Sequence, residues 1–82
     1  MTIYVTQKDI DEGELNDCNF CPIALAMTRR GFKDVQVDSK TFTHVVNGVK
    51  VLRDLPEKAQ NFITMFDAHL KVGPIRFEVD DA

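Results

Sequence analysis

The chain has 82 residues, of which 44% are hydrophobic and 28% are charged, and its formal net charge is −3. This much apolar material supports one hydrophobic core and excludes an intrinsically disordered chain, so we expect a single domain over residues 1–82. A mildly acidic chain has no general electrostatic attraction to phosphate backbones, which disfavours direct nucleic-acid binding.

The cellular location follows from two absences in the sequence. No stretch reaches the roughly 18 apolar residues that a membrane span needs. The N-terminal segment "MTIYVTQKDI" lacks a basic region followed by an apolar one. We therefore expect no membrane contact and a cytoplasmic protein, in which cysteines normally stay reduced.

The first 20 residues predict a strand, a short helix and a loop. Residues 2–6 alternate polar and apolar side chains, as in a half-buried strand. Thr6 can cap a helical turn that Gly13 ends. Residues 14–20 are rich in Asn and Asp, which predicts a loop.

An acidic run overlaps this helix and loop and contains no basic residue. Its members are Asp9, Asp11, Glu12, Glu14 and Asp17. Such runs are usually solvated faces; the functional interpretation is a patch that contacts a basic surface of a partner protein. The five residues are therefore candidate partner-binding residues.

The next segment has the start and stop signals of a helix. Pro22 suits the first turn, and residues 23–27 are apolar almost all round, which predicts a buried helix. Gly31 suits a left-handed C-cap. Arg29 and Arg30 complement the helix dipole in the last turn, and we also consider them as contacts for an acidic partner.

The C-x-x-C pair, Cys18 and Cys21, raises the question of a metal site. Structural zinc needs four ligands, and the only further soft ligands in the chain are His44 and His69, outside the usual spacing. These four residues are the candidate metal ligands, but we expect no bound metal and no other cofactor.

Thiol redox chemistry is the second interpretation of this pair. A cysteine at a helix N-terminus favours the thiolate, but the chain lacks the strand and cis-proline context of thioredoxin-like proteins. The structural alternative places Cys21 at the helix cap and packs Cys18 into the core as a small apolar side chain.

The middle of the chain predicts a β-hairpin. Two β-rich runs, "TFTHVV" and "VKVLR", flank Asn47-Gly48, a pair that tolerates the positive φ angles of a type I′ turn. A two-residue turn pairs Val46 with Val49. One face, which we expect to be buried, then carries Phe42, His44, Val46, Val49 and Val51.

The C-terminal part predicts a helix and a final strand. Asp54 can cap the helix and Pro56 suits its first turn. The apolar stripe consists of Leu55, Ala59, Phe62, Ile63, Phe66 and Leu70. The whole pattern predicts an α+β fold: a small, mainly antiparallel sheet with a central hairpin and two helices packed on one face.

Catalysis is not indicated. The only serine, Ser39, has no G-x-S-x-G context, and the four glycines stand singly, so there is no phosphate-binding loop. A lone histidine on an apolar face, such as His44, is more often a core residue than a catalytic base. We predict that the protein is not an enzyme.

Three segments together resemble a group of small bacteriophage-encoded proteins of unknown function. The shared patterns are V-T-x(3)-I-x(2)-G, C-x(2)-C-P-[IV]-A-x-A and L-P-x(2)-A-x(2)-F-I-x(2)-F-D, found here at residues 5–13, 18–26 and 55–67. The resemblance supplies no catalytic residues. It implies an accessory protein that binds, and modulates or inhibits, a host protein or defence complex.

Two alternatives remain open from the sequence. A metal-binding or thiol-redox protein would centre on Cys18 and Cys21. Self-association could occur through an exposed edge of the sheet, since a small sheet leaves edge strands unpaired.

Overall fold

The computed structural model describes residues 1–79. The order of elements matches the prediction, and the α+β class is confirmed. The elements are β1 (Thr2–Val5), α1 (Gln7–Glu12), α2 (Pro22–Arg30), β2 (Gln36–Val37), β3 (Thr41–Val46), β4 (Val49–Asp54), α3 (Glu57–Asp67) and β5 (Ile75–Glu78). Among these residues, no helix has the length and apolar character to span a membrane.

The strands form two antiparallel sheets rather than the single sheet that we expected. β1 pairs with β5, and the second sheet has the order β2-β3-β4. Ile3 lies opposite Phe77, and both are buried. α2 packs against β1 and β2, one strand of each sheet, and so joins the sheets into one body.

One core lies between these elements. The largest side chains that are fully buried are Phe42, Ile3, Ile23, Met27, Val5 and Pro22. α2 contributes three of the six because it is apolar almost all round, as its sequence predicts.

The caps of the first two helices are confirmed. Thr6 caps α1 in a capping box with Asp9. The Sγ atom of Cys21 accepts a hydrogen bond from the Ala24 N–H at the start of α2. Gly31 ends α2 with a φ of 113°, a left-handed conformation that glycine adopts at little cost.

The hairpin register is also confirmed, with Val46 opposite Val49 and both turn residues at positive φ. Phe42 and His44 are buried, so β3 presents the expected face to the core. The expectation is wrong for Val49, which is 61% exposed, because this residue lies at the tip of the hairpin.

Two predictions for α3 are wrong. Asp54 does not cap the helix, because it is the last residue of β4 and pairs with Thr41; Pro56 occupies the N-cap position without a side-chain bond. Leu70 does not continue the buried stripe and is 56% exposed. α3 ends at Asp67, so the helical spacing no longer places Leu70 on the core face.

Candidate functional site

The loop between α1 and α2, residues 13–20, is held by its own polar groups. The Glu14 N–H donates to the Phe20 carbonyl at 2.9 Å and closes the loop. The Asp17 carboxylate accepts from the Asn19 and Phe20 N–H groups at 2.8 and 3.0 Å. Such Asx turns are what the Asn- and Asp-rich sequence favours. We call this segment the acidic loop.

Two further hydrogen bonds attach the acidic loop to distant elements. The Asn16 N–H donates to the Asp67 carboxylate at the end of α3, at 3.0 Å. The Val37 N–H of β2 donates to the Cys18 carbonyl at 2.7 Å. The loop is therefore fixed at its base by α3 and β2, and it has a defined shape without a partner.

The acidic loop displays two large apolar side chains. Phe20 is 54% exposed and Leu15 is 39% exposed. The carboxylates of Asp11, Glu12 and Glu14 are exposed beside them in the chain. Aromatic residues are enriched in the centres of protein interfaces, and polar groups surround them. The arrangement therefore has the composition of a protein-binding surface.

Asp9 is not part of this exposed surface, contrary to the hypothesis of a continuous acidic patch. It is 4% exposed and forms an ion pair with Arg29. Burial alone raises the pKa of the Asp9 carboxyl, but hydrogen bonds from Arg29 and Thr6 outweigh it and hold the pKa below its ordinary value. Asp9 therefore stabilises the contact between α1 and α2.

Asp17 is half-buried and its carboxylate is occupied by the turn described above. Of the five acidic candidates, three are thus exposed and available to a partner. They are Asp11, Glu12 and Glu14.

Arg29 and Arg30 are engaged within the protein rather than free for an acidic partner. Arg29 donates to the Tyr4 carbonyl at 2.9 Å as well as to Asp9. Arg30 donates to the Thr2 carbonyl at 3.3 Å. Both carbonyls belong to the outer edge of β1, so the arginines cover that edge. These contacts join residues 20 or more positions apart, which local sequence patterns do not reveal.

The two cysteines have different environments, and neither forms a disulfide. Cys18 is exposed, so the prediction that it packs into the core is wrong; its backbone carbonyl faces β2, and its side chain borders a groove of about 240 Å³. Cys21 is buried. Burial raises the pKa of the Cys21 thiol, and the nearby carboxylates of Asp67 and Asp17 raise it further. The hydrogen bond from the Ala24 N–H to the Cys21 sulfur lowers this pKa but does not outweigh them. A raised pKa disfavours a reactive thiolate.

The two histidines lie in different environments, one buried and one exposed. His44 packs between Phe32 and Phe42, with ring centroids 4.8 and 5.6 Å away, and its Nε2 atom is buried without a hydrogen-bond partner. Burial, and then the Arg53 charge, lower the pKa of His44. His69 is exposed beyond α3. Within residues 1–79, no three His, Cys, Asp or Glu side chains are grouped to hold a metal ion.

A cleft of about 430 Å³ separates the end of α2 from the hairpin turn. Arg30, Lys33 and the buried His44 border it. Among the described residues that line this cleft there is no hydroxyl, thiol or carboxylate side chain.

No protein-family model matches this chain, and neither does any curated protein or solved structure.

Proposed function

We propose that this chain is a small accessory protein of the bacteriophage type that acts by binding another protein, without catalysis, in the cytoplasm of the host cell. The acidic loop makes the contact, with Phe20 at its centre. The observation that carries the proposal is an exposed phenylalanine on a loop that hydrogen bonds already hold in one shape.

Binding through this loop is favourable for two reasons. Burying the exposed part of Phe20 removes apolar surface from water, a gain of about 1–2 kcal/mol. Because the loop is fixed before binding, little conformational entropy is lost when the complex forms. The complementary partner surface is an apolar pocket that accepts the phenyl ring.

The exposed carboxylates of Asp11, Glu12 and Glu14 define the rest of the partner surface. Opposite charges across an interface accelerate association and exclude wrong partners. The apolar pocket of the partner therefore has a basic rim. A host protein whose basic, pocketed surface serves its own substrate or subunit would be inhibited when the loop covers it.

The test compares Phe20→Ser with Tyr4→Ser. Both residues are exposed aromatics, 54% and 56% accessible, but Tyr4 lies on β1. Tagged wild-type protein and both variants are incubated with bacterial host lysate, and retained proteins are quantified by mass spectrometry. We expect one protein to be retained by the wild type and by Tyr4→Ser, and about tenfold less of it by Phe20→Ser.

The alternative function, a metal-binding or thiol-redox protein, gives a different result. It predicts about one zinc per chain in protein purified without chelator, lost when Cys18 and Cys21 are both replaced by Ser. The acidic-loop proposal predicts no stoichiometric metal.

A further inference from the structure

β4 is an edge strand whose outer side is open. Its pairing with β3 begins beside the two-residue turn, where Val46 and Val49 form a hydrogen-bonded pair. From there, hydrogen-bonded and non-hydrogen-bonded pairs alternate along the two strands. The residues whose main chain bonds to β3 are Val49, Val51 and Arg53. The residues whose N–H and C=O groups point outward are Lys50, Leu52 and Asp54. Within residues 1–79, no strand pairs with these outward groups.

Two of the other strand edges are covered. Arg29 and Arg30 bind the outward carbonyls of β1, as described above. The outward N–H of Val37 in β2 donates to the Cys18 carbonyl. Proteins commonly block edges in this way to prevent unwanted strand pairing, which makes the uncovered edge of β4 a distinctive feature.

The outer edge of β5 is a poorer site for strand pairing. This strand has four residues. The main-chain groups of Ile75 and Phe77 are hydrogen-bonded to Val5 and Ile3 of β1. Only the main-chain groups of Arg76 and Glu78 therefore point outward. The Glu78 carboxylate already binds the Thr2 hydroxyl and the N-terminal amine.

We propose that two copies of this chain associate through β4, antiparallel and with the two-fold axis at Leu52. In this register Leu52 faces Leu52 of the second copy, and Lys50 faces Asp54 of the second copy on both sides of the axis. Leu52 is 65% exposed in the single chain. All three outward residues form hydrogen-bonded pairs, so six N–H···O=C bonds join the copies and make one six-stranded sheet.

Charge selects this register over its neighbours. An axis at Lys50 places two ammonium groups opposite each other, and an axis at Arg53 places two guanidinium groups opposite each other, both of which are unfavourable. An axis at Val51 places Lys50 opposite Leu52 and leaves Asp54 without a charged partner. Only the Leu52 axis combines an apolar centre with an opposite-charge pair at each end.

Asp54 is free for this role because it does not cap α3. The dimer uses a different surface from the acidic loop, so it adds to the proposed function without depending on it. Its consequence is a particle with two acidic loops, which engages a partner with two matching surfaces more tightly than one loop does.

The first test is a charge exchange. Sedimentation and light scattering over a series of concentrations give the association constant of the wild type, Lys50→Asp, Asp54→Lys and the double variant. Each single change places like charges opposite each other twice per dimer, so we expect about a tenfold or greater loss. The double variant restores the opposite-charge pairs and association. Lys8→Asp, an exposed substitution on α1 with the same change in net charge, leaves association unchanged.

Amide hydrogen exchange tests the register. In a dimer, the N–H groups of Lys50, Leu52 and Asp54 become protected as concentration rises, whereas those of Val51 and Arg53 are protected at every concentration. A wild type that stays monomeric overturns the proposal. A dimer that is insensitive to the charge exchange, or whose three outward amides stay unprotected, overturns it as well.

Discussion

Asp9 connects two helices with a single carboxylate. It accepts hydrogen bonds from the Thr6 N–H at 2.9 Å and from Arg29 of α2. The sequence predicts the Thr6 cap, since the capping residue and the helix are neighbours in the chain. The Arg29 contact depends on how α1 packs against α2, which the sequence does not specify. For this reason the sequence pattern predicts an exposed Asp9, like its acidic neighbours.

The Asp9 contact predicts a pH-dependent stability. Its folded-state pKa lies below the ordinary value of 3.8, so the ionised carboxylate stabilises the fold above that value, and the stabilisation is lost as the pH falls through the folded-state pKa. Asp9→Asn keeps the shape but lacks the charge. In urea unfolding near pH 7 we expect it to be less stable by about 1–3 kcal/mol.

The difference between wild type and Asp9→Asn starts to shrink as the pH falls below 3.8, where Asp9 of the unfolded chain takes up a proton. It approaches zero below the folded-state pKa, where Asp9 is protonated in both states. A difference that is the same at pH 7 and at pH 3 would show that the charge of Asp9 contributes nothing.

The two thiols are expected to react at different rates. Cys18 is exposed, whereas Cys21 is buried and its pKa is raised. A thiol titration of the native protein with a disulfide reagent therefore modifies one thiol rapidly and the second only after unfolding. The Cys18→Ser variant retains only the slow thiol. Rapid modification of that variant in the native state would contradict the burial of Cys21.

At the scale of elements, the features that the sequence predicts correctly depend on residues close together in the chain. The caps of α1 and α2 and the register of the hairpin follow from residues a few positions apart, and the structure confirms them. The pairing of β1 with β5 joins the two ends of the chain, which periodicity does not specify. The sequence pattern predicts a loop around Phe20 from its Asn and Asp residues, but it does not predict that the Phe20 side chain is exposed.

The hairpin turn gives a test at this scale. Gly48 has a φ of 80°, where an L-residue with a Cβ is strained. Gly48→Ala should destabilise the protein by about 1–2 kcal/mol in urea unfolding. Gly73→Ala is the matched control, because a Cβ there meets no atom within 4 Å and the φ is not positive. Equal effects of the two substitutions would contradict the type I′ turn.

At the scale of the whole molecule, the covered strand edges leave two exposed surfaces. The described residues span 36 × 21 × 18 Å. Contacts between distant residues cover the edges of β1 and β2, and they leave the acidic loop and the edge of β4 exposed. Within residues 1–79 the four candidate metal ligands form no metal-binding group. Instead, the end of α3 and β2 hold the acidic loop, which displays Phe20.

The most direct measurement of the central claim is the amount of host protein retained per tagged chain by Phe20→Ser relative to Tyr4→Ser. Circular dichroism at increasing temperature first establishes that both variants are folded. Binding through the acidic loop predicts about a tenfold lower amount for Phe20→Ser. Equal retention by the two folded variants would contradict it.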